Sequence, residues 1–295
     1  MKKTLLAVAL GLVASTSAFA GNMQIDLGTN SFDAGRSIGA ADANSRTANF
    51  KQFGFNQILA TSIYDFSDGS IFGNFYDTNI SSELAFANVP ASGPSLDGST
   101  TVNLVLPDCP LGQCDIDGLS PLVPPLGSDN EGYLQTWDLQ VEYHFDGTLT
   151  AGGPVYTGGF FKVFFNDLTV ANADYLALTG TLTGSKLDVA NLDVFFDITF
   201  AVDDFLWIED ANGVFQDAHD VIAAGGVPTL ALDTNVKPPI PTADQLLLVV
   251  DDGGIPNAIR QTELDGSIEG AIPEPATVAL LGLGLLGLGL ARRRA

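Results

Sequence analysis

Basic side chains are scarce in this chain of 295 residues: 12 Lys and Arg stand against 35 Asp and Glu, a formal net charge of −23. Five of the twelve lie at the extreme ends, as Lys2, Lys3, Arg292, Arg293 and Arg294, so residues 21–290 carry seven. That excludes nucleic acid as a partner, because displacing counterions from phosphates needs a basic surface. Histidine and cysteine number two each, which leaves little for metal or nucleophilic chemistry. Glutamate is rare as well: it supplies seven of the acids and Asp the other 28. Asp with 32 Gly and 15 Pro favours turns, whereas a helical protein would prefer Glu, Lys and Ala. Apolar residues are not scarce. They make up 46% of the chain and include 19 Phe, enough to bury a real core and to argue against disorder.

Both ends read as targeting segments. Lys2 and Lys3 form a positive n-region, Leu5 to Val13 an apolar h-region, and Ala18-Phe19-Ala20 a small-x-small cleavage pattern with Gly21 as the new N-terminus. The apolar run is shorter than the ~20 residues a membrane span needs, and Ser15, Thr16 and Ser17 follow it. Residues 1–20 are therefore read as a signal peptide removed by signal peptidase, and the mature chain as exported to an oxidising compartment. At the other end, Pro273-Glu274-Pro275 is extended and unsuited to a helix interior. Val278 to Ala291 is an uncharged Leu/Gly run, read as a short hydrophobic transmembrane helix weakened by Gly282, Gly284, Gly287 and Gly289. Arg292, Arg293 and Arg294 then act as a cytoplasmic stop. A short, glycine-weakened span suits a temporary hold at the inner membrane better than a lasting anchor.

These three parts, in this order over residues 272–295, resemble the PEP-CTERM sorting signal of Gram-negative bacteria. The resemblance implies processing by an exosortase, a membrane-embedded cysteine transpeptidase-like enzyme. It also implies release or attachment at the cell surface, often where exopolysaccharide is made. It covers the last two dozen residues only and does not determine what the domain ahead of them does.

Residues 21–270 read as one β-rich exported domain, with 271–295 as the sorting signal. Gln135, Trp137, Leu139, Val141, Tyr143 and Phe145 alternate with Thr136, Asp138, Gln140, Glu142 and His144, the period of a half-buried strand. Leu192, Val194, Phe196, Ile198 and Phe200 form one face of another, opposite Asp193, Phe195, Asp197 and Thr199. Val102, Leu104 and Leu106 give a shorter strand. Phe205–Glu209 and Val214–Gln216 flank an Asn212-Gly213 hairpin turn. Leu246–Val250 reads as a fully buried strand closed by Asp251-Asp252-Gly253-Gly254, and Gln261–Ile268 as a last hairpin leg. Asp217–Ala224 is long enough for one or two helical turns. Residues 90–130, with seven prolines, form a long surface connection, and residues 236–241 a second stiff linker. The expected fold is all-β: an antiparallel β-sandwich-like domain with long Pro/Gly-rich loops, plus a C-terminal hydrophobic helix.

An internal echo runs through the middle. Gly147-Thr148-Leu149-Thr150 returns as Gly180-Thr181-Leu182-Thr183, and Val163–Thr169 as Val194–Thr199, with one extra residue before Leu168 that fits a bulge. A duplicated hairpin predicts that 147–169 and 180–199 are successive hairpins of one sheet, with Phe165 and Phe196 in the core. Chance recurrence of Thr/Phe/Val-rich β sequence is the competing explanation.

Candidate chemistry is sparse. Cys109 and Cys114, the only cysteines, are expected to form one local disulfide that pins the Pro-rich loop, constraining the unfolded chain by about 2 kcal/mol. His144 lies on the polar face of its strand and reads as solvated. His219 sits between Asp217 and Asp220, and either His could be drawn into a Ser-His-Asp triad on paper, but no Gly-x-Ser-x-Gly elbow supports one. Paired carboxylates of a glycosidase kind are supplied by coincidence among 28 Asp, most of them in turn-like contexts such as Asp65-Phe66-Ser67-Asp68-Gly69. Asp115-Ile116-Asp117-Gly118 and Asp251-Asp252-Gly253-Gly254 cluster oxygen ligands without matching an EF-hand, so no cofactor is assigned and Ca²⁺ is the one ion considered. The expected role is a non-enzymatic cell-surface or matrix protein of an exopolysaccharide-associated layer, such as a biofilm or floc. Its partners would be signal peptidase, exosortase, exopolysaccharide and, transiently, the inner membrane. A carbohydrate- or Ca²⁺-binding adhesin and a secreted hydrolase are the alternatives.

Overall fold

The computed structural model describes residues 21–28, 45–47, 49–87, 89, 133, 137–168, 174–189, 191–235 and 238–273, with backbone alone for 54–59 and 263–265. In chain order the elements are β1 (Met23–Ile25), β2 (Gln52–Asp65), β3 (Gly73–Thr78), α1 (Ser81–Leu84), β4 (Trp137–Thr150), β5 (Gly153–Asp167), β6 (Tyr175–Asp188) and β7 (Asn191–Ala201). They continue with β8 (Leu206–Glu209), β9 (Phe215–Asp217), α2 (Ala218–Ala223), β10 (Thr229–Asn235), β11 (Leu247–Val250) and β12 (Pro256–Ala271). The all-β, antiparallel class expected from the sequence holds, but the expected sandwich-like arrangement gives way to one large sheet closed on itself, because β10 pairs with β12. The expected disulfide, signal peptide, C-terminal helix and Val102–Leu106 strand lie outside the described residues.

One large sheet runs β10-β7-β6-β5-β4-β3-β2-β12-β11, and β10 also pairs with β12. The extra pairing closes eight of these strands into a ring, an up-and-down barrel in which every pair is antiparallel. Closure removes the free edges that an open sheet of this size would present. The seam strand β12 is shared along its length. Its C-terminal part, Gly266–Ala271, pairs with β10, and its N-terminal part, Pro256–Ile259, pairs with β11. A smaller sheet, β1-β8-β9, sends Met23, Ile25, Leu206 and Ile208 into the same core.

An eight-stranded barrel is just wide enough for side chains to fill it. Here aromatic rings do so: Phe75 meets Tyr156 edge-on at 5.2 Å, Phe161 meets Phe196 at 5.1 Å, and Trp137 stacks on Phe165 at 5.5 Å. Outside, Glu142 pairs with Lys162 at 2.6 Å, and Asp193, Asp197 and Thr199 line the solvent side of β7. Apolar inside and acidic outside is the reverse of a barrel that faces lipid.

The two copies of the echo fall in the consecutive hairpins β4–β5 and β6–β7, adjacent in one sheet, and Phe165 and Phe196 are both buried. Their pairing differs: Gly180, Thr181 and Leu182 pair with Ile198, Asp197 and Phe196, whereas Gly147, Thr148 and Leu149 pair with Tyr156, Val155 and Pro154, and Phe165 pairs with Leu139. Their leading glycines share a role. Gly147 pairs with Phe75, and Gly180 with Phe161. A Cβ on Gly147 would meet the Phe75 ring at 2.6 Å, and one on Gly180 would enter the Phe161 ring. Each glycine leaves room for the ring its neighbour strand lays across it. The extra residue of the first copy is not a bulge, because β4 and β5 pair without interruption from Trp137↔Asp167 to Asp146↔Gly158. The bulges fall elsewhere, including at Thr199, which pairing skips between Ile198↔Gly180 and Phe200↔Thr179. That slip reverses the alternation, so Phe200, expected inside, faces out at 42% exposure and Ala201 turns inward.

The largest departure is β11. The run Leu246–Val250, expected to be fully buried, is an outer strand appended to one end of β12. Leu247, Leu248 and Val250 are 51%, 61% and 61% exposed. A continuous apolar run does not say whether a strand has neighbours on both faces, and β11 lies outside the ring. Val249 packs inward against a satellite cluster of Ile63, Leu84, Ala87 and Ile259, and Leu246, just ahead of the strand, packs against the main core.

Candidate functional site

Strand β12 leads straight into the Pro-Glu-Pro motif. Its inward alternation continues through Ile268 and Gly270 to Ile272, which is buried with the core one residue beyond the strand. Ala271 still pairs with Thr229, whose Oγ1 donates to the Ala271 carbonyl at 3.4 Å. Gly270 is roofed by the small sheet: a Cβ there would lie 2.7 Å from Met23 Sδ. Gly21, the expected first residue after signal cleavage, donates its N–H to the Gly270 carbonyl at 3.1 Å. A Cβ on Gly21 would run into the Glu209 carbonyl, so only glycine fits there. The Glu209 carboxylate in turn accepts from the backbone and side chain of Asn22. Residue 21 and residues 270–273 therefore meet at one end of the barrel. Pro273 is half-buried at that rim, whereas Glu274, Pro275, Arg292, Arg293 and Arg294 lie outside the described residues, as do Ala18, Ala20, Cys109 and Cys114. The expected domain boundary after residue 270 falls inside the last paired stretch of β12.

Among the described residues, one group has the donors to hold a metal ion: Asp203, Asp217, His219 and Asp220, with ligand atoms within 4.8 Å of one another. His219 Nδ1 lies 3.3 Å from Asp203 and 3.7 Å from Asp220. The imidazole nitrogen suits a transition ion better than Ca²⁺, which takes oxygen ligands. Asp217 is already committed. One oxygen caps α2 by accepting from His219 N–H at 3.0 Å, and the other accepts from Asp204 N–H at 2.8 Å. Burial raises the Asp217 carboxyl above the usual range, against the lowering effect of those two N–H groups. The Asp251-Asp252-Gly253-Gly254 candidate is a hairpin turn. Asp251 Oδ1 accepts from Gly253 N–H at 2.9 Å and Ile255 N–H at 2.8 Å. Asp65, Asp68 and Asp210 bind backbone N–H groups of their own turns in the same way. These four Asp thus serve as turn formers.

His144 is not simply solvated. It is held between Glu83 of α1 at 2.8 Å and Asp146 at 3.2 Å, and it stacks between Tyr76 and Phe160. Burial works against its charged form, but the two carboxylates outweigh burial and raise its pKa. Glu83 reaches it from 61 residues away, a contact that no local spacing reveals.

Among the described residues, the barrel interior holds a charged cluster that the sequence pattern concealed. Tyr156 donates to Asp77, Ser62 also hydrogen-bonds this carboxylate, and Arg260, 3% exposed, faces it. Burial pushes the Asp77 carboxyl up to about 6 despite the Ser62 and Tyr156 hydrogen bonds and the Arg260 charge. The Arg260 guanidinium also donates to the Pro238 carbonyl at 3.0 Å, tying the proline linker to the barrel. Arg260 occupies an inward position between Ala258 and Thr262.

Compared with known families, residues 271–294 match the PEP-CTERM protein-sorting motif. No curated protein and no solved structure matches the chain. The motif marks the chain as an exported exosortase substrate, held transiently at the membrane by its C-terminus. The match begins at Ala271, so its first two residues are also the last paired residue of β12 and a core side chain.

Proposed function

We propose that this chain is a non-enzymatic structural protein of the cell surface or of an exopolysaccharide-rich matrix, its barrel being the cargo that the sorting signal delivers. The observation that carries this reading is the direct junction of the sorting motif with a closed barrel. The barrel interior is filled by its own aromatic side chains, and its exterior is strongly acidic. An acidic exterior keeps an exported protein soluble and apart from its own copies until it is deposited. Acidic turns at the hairpin tips and a sheet without free edges in its ring fit a durable surface component. Signal peptidase removes residues 1–20 in this reading, and exosortase removes the segment beyond Pro273-Glu274-Pro275.

The test is fractionation of the producing cells. Wild type is expected in the surface or matrix fraction without Arg292–Arg294. Replacement of Pro273-Glu274-Pro275 by alanines is expected to leave it in the inner membrane, shortened only by the signal peptide. Deletion of residues 273–295 should release it as soluble periplasmic protein. Recovery of surface protein that still carries Arg292–Arg294 refutes the reading.

A further inference from the structure

The overlap between fold and signal has a consequence for how the signal is read. An enzyme that cuts a peptide bond must hold several residues on either side of it in an extended, accessible form, and paired or buried residues become accessible only through local opening. Here Gly270 is bridged to Gly21, Ala271 is paired to Thr229, Ile272 is buried in the core, and Pro273 follows with no spacer. The folded barrel therefore withholds the residues that lead into the motif.

We propose that maturation of this chain is gated by fraying of the end of β12: the sorting enzyme acts on a form in which residues 270–272 have left the barrel. This rests on the exosortase reading above. The gate is local. Opening breaks the Gly21–Gly270, Leu230–Gly270 and Thr229–Ala271 contacts and withdraws two buried side chains, Ala271 and Ile272, while β12 upstream remains held by β2 and β10. It also has a direction. After the cut no membrane tether pulls on this end, and residues 270–272 return to their places, so the mature barrel closes over its new C-terminus. The order of events follows: the Met23 and Ile208 roof over Gly270 must form loosely enough to open again, and the cut precedes its final seating.

The experiment is pulse-chase of the full-length precursor in cells that make the exosortase. One variant inserts Gly-Ser-Gly-Ser-Ala-Ile after Ile272, which keeps every barrel residue and repeats Ala-Ile ahead of the motif. A second replaces Pro273-Glu274-Pro275 by alanines. A third, Ile272→Ala, loosens the plug without adding length. Gating predicts that the insertion shortens the precursor lifetime at least about tenfold and that Ile272→Ala shortens it by a smaller factor, since access follows the open population. An insertion variant that matures at the wild-type rate, or more slowly, overturns gating and leaves the sorting reading intact. An alanine variant that matures as fast as wild type overturns the sorting reading and gating together.

Discussion

The glycine–aromatic pairing in the barrel wall allows a sharp test, because one strand contains both the sensitive site and its control. In β6, Gly180 lies under the ring of Phe161, and a Cβ there would enter the ring and stand 3.0 Å from the Asp197 carbonyl. Phe161 is 6% exposed and meets Phe196 edge-on at 5.1 Å, so the ring cannot give way without disturbing a second aromatic. Four residues on, Gly184 has nothing within 4 Å of its Cβ position. Gly180→Ala adds one carbon to a filled site and should cost about 3 kcal/mol, the upper part of the range for overpacking. That corresponds to a fall in Tm of roughly 6–12 °C for a domain of this size. Gly184→Ala adds the same carbon in open space and should be neutral or stabilising by up to about 1 kcal/mol, through the restricted unfolded chain.

Thermal and urea unfolding of the mature protein measure both. The combined variant Gly180→Ala, Phe161→Leu supplies the causal link. Shortening the ring should recover part of the loss, a coupling of about 1 kcal/mol or more between the two sites. Equal midpoints for the two alanine variants, or strict additivity in the double variant, would refute the reasoning that these glycines exist to admit rings.

Three further outcomes are expected. His144 has a folded pKa above its ordinary value, so its stabilising contribution is full below pH 6.5 and is lost as pH rises through the folded value. The stability difference between wild type and His144→Gln should therefore be greatest near pH 5.5 and shrink toward pH 9 in urea titrations. A gap that widens with pH would contradict the Glu83–His144–Asp146 arrangement. Asp77 behaves oppositely to a paired surface acid: with its pKa raised to about 6, the folded state binds more protons than the unfolded one between about pH 4 and pH 6. Stability falls across that window, and Asp77→Asn, which keeps an acceptor for Tyr156, should flatten this slope. Finally, Asp210→Ala removes two hydrogen bonds to turn N–H groups and should lower stability by about 1 kcal/mol, with the barrel unchanged in circular dichroism.

What the sequence revealed follows the range of the interactions involved. The strands β4 and β7, the 210–213 hairpin and the α2 turn are written in residues a few positions apart, and period-two alternation or a turn dipeptide suffices to read them. The echo was legible for the same reason, and in the structure its two leading glycines share one role, each leaving room for a neighbouring ring. Phe200 and β11 show where local reading stops. One skipped residue at Thr199 reverses a face, and an apolar run carries no mark of whether its strand lies in the ring or beside it.

The candidate sites divide along the same line. A sorting signal is read as linear sequence by another protein, so its parts must be contiguous, and residues 271–294 are recognisable without any fold. The interior cluster depends on long-range strand pairing. Arg260 on β12 lies opposite Ser62 on β2, and Ser62 lies opposite Asp77 on β3, a contact between distant parts of the chain that no spacing encodes. At Ala271 and Ile272 the two kinds of information occupy the same residues. Read along the chain they open the sorting motif; read across the barrel they close it. The apolar alternation Ile268, Gly270, Ile272 was the available signal that β12 runs up to Pro273, so that the boundary read at residue 270 from the start of the sorting signal lies within the last paired stretch of the barrel. Because the same two side chains serve both purposes, a substitution that strengthens their hold on the barrel must make the motif harder to withdraw. Stability at this rim and speed of maturation are thereby opposed.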